Sequence, residues 1–406
     1  MTEADIFISS GGIAGLAAAA AFAAAGRSVV LADPEPPADD ATAKGSDLRS
    51  TAFLRPGRAL LERAGVWEAL APHATPLEVL RAVDTVGSPP RVRATRDFRA
   101  SELGDAPFGW NLLNWVTRRA LVRALDGRVD LRLGRGFADL LARDREALVT
   151  LTDGSRIRAR LAVAADGHAS PLREAAGIGV RTTRYGQKAI AFTVTHPEPH
   201  GNVSTELYAP GGAFVLVPLP DHEARPASAV VWMNEGRRAL DLMAVEPEEF
   251  AAEATLRSCG VQGPLRLESP RRLWPVLTQE ATALTARRVA MVAEAAHVLP
   301  PIGAQGLNTS LADVATLVEL VASPEDPGTP ALLDAYARAR GADIRARAAA
   351  IDLFNRVCRS GIAPVEALRG VGLRLVHDLA PLRRGVMRAG LGETRARRGE
   401  TRSGGL

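Results

Sequence analysis

Along the chain, apolar and polar positions change period in a definite order. Asp5-Ile6-Phe7-Ile8-Ser9 is a short continuous apolar run, the pattern of a strand buried on both faces. Residues 14–25 are almost all alanine, the strongest helix former, and Gly26 stands where a helix commonly ends. Ser28-Val29-Val30-Leu31-Ala32 is a second apolar run, closing at Asp33. Strand, helix and strand in this order predict a βαβ unit with parallel strands. Residues 34–46 are polar and Pro-rich, and predict a loop. Helices are expected over 58–70 and 115–125, short strands over 79–100, and a small β-meander over 129–164 that ends in a strand at Leu161–Ala164. Residues 189–235 read as strands broken by Pro197, Pro199, Gly211-Gly212 and Pro218–Pro220. A helix over 247–257, a strand over 289–293 and a helix over 306–320 follow, and from Pro330 the pattern is mainly helical.

The order predicts an α/β protein: a Rossmann-like domain over 1–178, a β-rich insert over 179–275, a return to the first domain over 276–345, and C-terminal helices with a basic tail over 346–406. Composition narrows the class. Apolar residues make up 47% of the 406 and charged residues 24%, which excludes a disordered chain, a collagen and a coiled coil. Two cysteines, Cys259 and Cys358, exclude a disulfide framework and make a reducing compartment the default. No CxxC, HExxH or clustered Cys/His spacing occurs, so no metal site is expected. A net charge of +4 is too small for a nucleic-acid binder of this length. Lysine occurs only at Lys44 and Lys188; with so many alanines, this arginine bias suggests a GC-rich bacterial genome. The uncharged run from Gly11 to Gly26 follows Glu3 and Asp5, where a secretory signal has Lys or Arg, and is shorter than the roughly 20 residues of a membrane span.

Three segments carry candidate chemistry. Ser10-Gly11-Gly12-Ile13-Ala14-Gly15 lies between the first strand and the first helix, where a dinucleotide-binding turn belongs. Gly12 permits close approach of a pyrophosphate, Gly15 permits close packing of helix on strand, and the helix N-terminus offers free N–H groups. Asp33, about twenty residues further on, is placed to accept both ribose hydroxyls. The second segment is Ala165-Asp166-Gly167-His168-Ala169-Ser170-Pro171-Leu172-Arg173, and the third runs from Ala293-Glu294-Ala295-Ala296-His297 through Pro300-Pro301-Ile302-Gly303-Ala304-Gln305-Gly306-Leu307-Asn308.

In order, these segments resemble the three fingerprints of the para-hydroxybenzoate-hydroxylase-like flavoprotein monooxygenases, and within that group the ubiquinone-biosynthesis hydroxylases of the UbiH/UbiF type. Residues 47–52, 114–121, Val231-Trp232 and Phe354-Asn355-Arg356 extend the resemblance over nearly the whole chain. It implies bound FAD, transient use of NAD(P)H, and O2-dependent hydroxylation of an electron-rich ring. The cofactor-binding residues it implies are Gly11, Gly12, Gly15, Asp33, Arg49, Asn114, Asp166, Gly167, Glu294, Gly306, Leu307 and Asn308. Pro300, Pro301 and Gly303 would form the flavin-side wall. No side chain is assigned a catalytic role, because the cofactor carries the chemistry. Arg173 is expected to be a structural or pyrophosphate-facing cation, and His297 a structural hydrogen-bonder.

The implied substrate is a prenylated phenol or another aromatic small molecule, with no nucleic-acid partner. The resemblance places the protein in the cytoplasm or at the inner face of the bacterial membrane, and leaves open a homodimer or a place in a quinone-biosynthesis assembly. Phe192, Phe214, Val215, Leu216 and Trp232 are candidates for the substrate wall, about half of them expected to be plain core. Three positions depart from the family pattern: Ser10 for the first glycine, Glu294 for an aspartate, Ala304 for a glycine. A serine or alanine there costs energy only if φ must be positive. Three rival readings stand: a hydroxylase of a soluble aromatic, a non-catalytic relative with altered cofactor contacts, and, with less support, an NAD-dependent dehydrogenase. The arginines from Arg383 onward form a basic tail, read as a solvated terminus in preference to a lipid-docking one.

Overall fold

A computed structural model describes residues 1–43, 45–322, 325–360 and 363–393. Its first layer is an eight-stranded sheet. β1 (Thr2–Ser9) pairs in parallel with β2 (Val29–Asp33) on one side and with Arg156–Ala164 on the other. Val289–Met291 adds in parallel beyond Arg156–Ala164, and Asp130–Leu133 adds in parallel beyond β2. Both faces of this sheet are covered, which explains the unbroken apolar runs. Ile6 and Ile8 enter the core beneath α1 (Ile13–Ala24), whereas Phe7 between them enters the core on the opposite face. The alanines of α1 let it lie close against the sheet, and Phe22 is fully buried there. Phe22→Ala would open a cavity costing about 3–5 kcal/mol.

The second layer is a nine-stranded sheet built on the long strands Val180–Thr195, Arg225–Glu235 and Gly212–His222, which pair antiparallel. This sheet also takes in Val79–Val86, paired in parallel with Val203–Ala209, and its neighbour Arg91–Arg99. Residues 79–99 therefore leave the first domain by sequence and join the second by pairing. Nothing in their own pattern shows this, because the partner strand lies more than a hundred residues away. At the other end, Arg272–Ala281 pairs with Val180–Thr195, so a boundary at 275 falls inside a strand. A small three-stranded sheet of Ser50–Leu54, Gly109–Leu113 and Thr75–Leu77 sits between the two layers.

Other differences from the sequence reading are local. The single helix expected over 58–70 is two helices, Arg55–Arg63 and Trp67–Leu70, broken at Gly65 with φ +66°. Asp130–Leu133 belongs to the parallel sheet, not to the meander that follows it. The expected strand over 289–293 stops at Met291 and turns through a short 3-10 segment at Ala293–Ala295. One helix of 30 residues, Pro330–Arg359, crosses the expected boundary at 345. Helices Ala363–Asp378 and Ala380–Leu391 close the described chain. The basic segment from Arg383 thus starts as ordered helix, with Arg383 on Glu102 and Glu393 on Arg55; its continuation from 394 lies outside the described residues. Among the described residues no helix is long and apolar enough to cross a membrane.

Candidate functional site

All three sequence segments sit at the carboxyl ends of neighbouring parallel strands: β1 ends at Ser9, the next strand at Ala164, the third at Met291. This is where open α/β sheets bind ligands. Specific bonds hold the segments together. Ser9 Oγ donates to Asp166 Oδ2 at 2.9 Å, joining the first to the second. Arg173, almost fully buried, donates to the carbonyls of Ala295 at 3.2 Å and His168 at 3.0 Å, joining the second to the third. Arg173 is therefore the structural cation of the two expected alternatives.

The first turn is built around Asp33. Its Oδ2 accepts from Gly11 N at 2.5 Å and from Ser10 Oγ at 3.3 Å; its Oδ1 accepts from Glu35 N at 2.8 Å and from Arg118 at 2.9 Å. Arg118 also donates to the Gly11 carbonyl at 2.7 Å. A Cβ on Gly15 would stand 2.1 Å from the Ser10 carbonyl, so only glycine lets α1 pack here. A Cβ on Gly12 would meet nothing nearer than Ser10 Oγ at 3.5 Å, so this face of the turn is open. The N-terminus of α1 has no side-chain cap and no acid in its first turn. The same holds for the helix Gln305–Val321. Two uncapped helix ends, one at an open glycine turn, suit phosphates at the first and an electron-rich ring edge at the second. These residues fit FAD.

Asp47, Arg49 and Asn114 form one network. Arg49 pairs with Asp47 at 2.7 Å, Asn114 Nδ2 donates to Asp47 Oδ2 at 2.9 Å, and Thr51 donates to Asn114 Oδ1 at 2.8 Å. Burial opposes the charge on Asp47, but the bonds from Arg49 and Asn114 prevail and hold its carboxyl below the ordinary range. Burial likewise works against the Arg49 cation, and is outweighed by Asp47 and, less strongly, by Glu294. Arg49 also lies over the Trp274 ring at 4.8 Å. Asp166 behaves oppositely: burial pushes its carboxyl up by more than the bonds from Ser170, Leu172 and Ser9 pull it down. Gly167 beside it has φ +82°. Asn114 is part of a side-chain network and not merely a helix cap.

The third segment is braced from below. His297 Nε2 lies 2.6 Å from Asp313 Oδ2, and Arg340 Nε donates to Asp313 Oδ1 at 2.7 Å; Arg340 is 1% exposed and Asp313 0%. Burial acts to raise the Asp313 carboxyl, but His297 and Arg340 hold it below the ordinary range. Ala293 N–H donates to the same carboxylate at 3.2 Å. Glu294 itself is exposed beside this brace. Pro300 is buried, while Pro301, Gly303 and Gly306 are exposed and Leu307 half-buried. Asn308 donates to the carbonyls of Ala52 and Ala304, both at 2.7 Å, and accepts from Leu54 N at 2.9 Å. Its side chain thus ties the helix to the strand Ser50–Leu54.

Ser10, Ala293 and Ala304 all have positive φ, at 100°, 57° and 54°. At Ser10 and Ala304, where the family pattern has glycine, the backbone keeps the glycine conformation at a cost of roughly 1–2 kcal/mol per residue. The Ser10 hydroxyl accepts from Gly12 N at 3.0 Å and Asp313 grips Ala293, so two of the three are compensated locally.

Of the five substrate-wall candidates, Phe192, Phe214, Leu216 and Trp232 are corrected to core. They lie on the far face of the large sheet with Phe250 and Leu242. Val215 alone faces Leu299 and Ile302 of the third segment, together with Tyr185, Ala213 and Met233. Strict strand alternation decides this: Phe214 and Leu216 point one way and Val215 the other.

Sequence reasoning missed Arg118 and the Asp313–Arg340 pair. Arg118 had a signal, since it stands one turn beyond Asn114 on the same helix face. Asp313 and Arg340 are far apart in sequence and had none.

The fold and this site define a flavin-dependent oxygenase. Residues 3–350 match the FAD binding domain family, and the chain belongs to it. Ubiquinone hydroxylase UbiL of Rhodospirillum rubrum is 36% identical over 96% of this chain and 90% of its own length. The 3-demethoxyubiquinol 3-hydroxylase of Escherichia coli is 27% identical over 96% of this chain and 98% of its own. Crystalline p-nitrophenol 4-monooxygenase PnpA of Pseudomonas putida superposes with a TM-score of 0.77 at 17% identity, covering 96% of this chain and 99% of that one. The chain is an FAD-dependent monooxygenase of the ubiquinone-hydroxylase type. The NAD-dependent dehydrogenase and the non-catalytic reading are thereby set aside.

Proposed function

We propose that this monooxygenase hydroxylates a polyprenylated phenol of ubiquinone biosynthesis, using NAD(P)H and O2. The observation that carries the reading is the likeness to a ubiquinone hydroxylase along nearly the whole chain, with all three cofactor segments joined by specific bonds at the carboxyl end of one sheet. FAD, when bound, supplies the redox and oxygen chemistry.

The chain's own residues supply position and dryness. Asp33, held by Arg118, would accept the ribose hydroxyls, and the open turn at Gly12 would admit the pyrophosphate. The Arg49–Asp47–Asn114 network places a fixed positive charge beside Glu294. Val215, Ala213, Met233 and Tyr185 pack with Leu299 and Ile302 in one buried apolar cluster, which would keep water from a ring bound beside the third segment. The N-terminus of Gln305–Val321 would offer partial positive charge to the electron-rich edge of a bound flavin.

The test is NAD(P)H oxidation by the FAD-loaded protein with prenylated and unprenylated phenols, with product mass measured under labelled O2. Stimulation by the prenylated compounds, with one labelled oxygen gained, is expected. Stimulation only by unprenylated rings would replace the substrate with a soluble aromatic, and no stimulation by either would sink the reading.

A further inference from the structure

The two last helices each have a face the fold explains and a face it does not. Inward, Leu373, Val376 and Met387 pack into the core that also holds Leu299 and Ile302, and Leu391 is buried. Arg369 is buried too, donating to Asp84 at 2.9 Å. Outward, Leu368 is 65% exposed, Val371 53%, Leu375 52%, Leu379 52%, Leu382 43% and Val386 45%. Positions 368, 371 and 375 share one face of the first helix, and 382 and 386 share one face of the second. Elsewhere in the described chain large exposed apolar side chains are scattered, as on any soluble protein. Here six occur within nineteen consecutive residues.

Among the described residues, most of the exposed charges around this stripe are positive. Arg374, Arg384 and Arg388 are exposed on the same two helices. The exposed acid among them, Asp378, is engaged by His377 at 2.9 Å. Beneath the first helix lies a cavity of about 240 Å3, bounded by Arg93, Arg96 and Arg374 together with Val371 of the stripe. Its one acid, Asp84, already pairs with Arg93 and Arg369. The Nε of Arg96 is buried without a partner.

We propose that helices Ala363–Asp378 and Ala380–Leu391 form a docking surface for an anionic lipid bilayer, the apolar stripe entering the acyl boundary and the arginine-walled cavity receiving a phosphate headgroup. An apolar face rimmed by arginines suits an interfacial helix, and leaflet charge attracts each cation near the surface. A protein partner would need acids to match the rim; a bilayer supplies apolar depth and phosphate together. The outward face shares no residue with the cofactor segments, although the inward face packs on Leu299 and Ile302, and the proposal holds whether or not the substrate is prenylated.

The experiment is co-sedimentation of the full, FAD-loaded chain with phosphatidylcholine vesicles, with and without phosphatidylglycerol. Phosphatidylglycerol raises the bound fraction by roughly tenfold or more, and added salt reverses the gain. V371S/L375S/V386S and R374A/R384A/R388A each lose about that factor while the thermal unfolding curve stays within a few degrees of the parent's, because these side chains are exposed. Arg96→Ala weakens binding only to the anionic vesicles. Equal binding to both vesicle types, or parent-like binding by the two triple variants, would overturn the proposal. So would light scattering that shows a dimer in the parent and a monomer in the apolar variant, which would assign the stripe to a second copy. An unchanged Arg96→Ala would remove the headgroup cavity from it.

Discussion

Arg118 lies 2.9 Å from the Asp33 carboxylate while its Nε donates to the Gly11 carbonyl at 2.7 Å, so one guanidinium clamps both sides of the nucleotide turn. The Asp33 carboxylate, which would meet the ribose in the proposed site, also accepts from Gly11, Glu35 and Ser10. Arg118 holds the geometry in which it can do both. Arg118→Ala is expected to weaken FAD binding about tenfold, or about 1.4 kcal/mol, with a small change in unfolding midpoint. Arg118→Lys recovers little, because a lysine cannot fork to two acceptors. Flavin fluorescence titration reads both.

The left-handed alanine at 304 offers a separate test. Ala304→Gly removes the Cβ penalty at φ 54° and is expected to stabilise the protein by about 1 kcal/mol in urea unfolding. Ser10→Gly gains less, because the Ser10 hydroxyl accepts from Gly12 N and donates to Asp33. Equal gains would show that the hydroxyl does not compensate.

Asp313 supports the third segment from a fully buried position. Asp313→Asn removes the fully buried carboxylate and leaves Arg340 only Asp343 at 2.8 Å as a countercharge, and a loss of about 3 kcal/mol is expected at neutral pH. The pH dependence has a definite sign. The folded-state carboxyl titrates below its ordinary value of 3.8, so its contribution is fully present above that value and fades as pH falls through the lower folded value. The gap between parent and Asp313→Asn, measured by denaturant unfolding, therefore narrows below about pH 4. A gap that widened on acidification would contradict the brace.

Val215 and Trp232 separate site from core. Trp232→Ala, on the far face, is expected to cost about 3–5 kcal/mol of stability. Val215→Ala, on the face that packs with Leu299 and Ile302, is expected to cost less stability than Trp232→Ala and to raise the share of NAD(P)H oxidation that releases peroxide instead of hydroxylated product. Peroxide assays on both variants decide this.

The βαβ unit and its acid were readable because their signals are local: an apolar run, a glycine turn, an alanine helix, Asp33. The same holds for Asp166-Gly167, whose turn needs a positive φ that glycine supplies. What stayed hidden depends on distant partners. Residues 79–99 look like any hairpin until Val203–Ala209 claims them. Phe192 and Trp232 look like a substrate wall until strand parity turns them away. Asn308 sits in the motif, yet its amide is spent on Ala52 and Leu54 across the helix–sheet contact. The departures at Ser10 and Ala304 were visible as letters, but that the backbone keeps φ positive beneath them is a property of the fold.

The central claim is that these three segments assemble one FAD site despite those departures. Its most direct test is the visible absorption spectrum of the purified protein after FAD is added and the excess removed by gel filtration. Flavin bands at close to one FAD per chain are the expected result. A colourless protein that refuses added FAD would contradict the account.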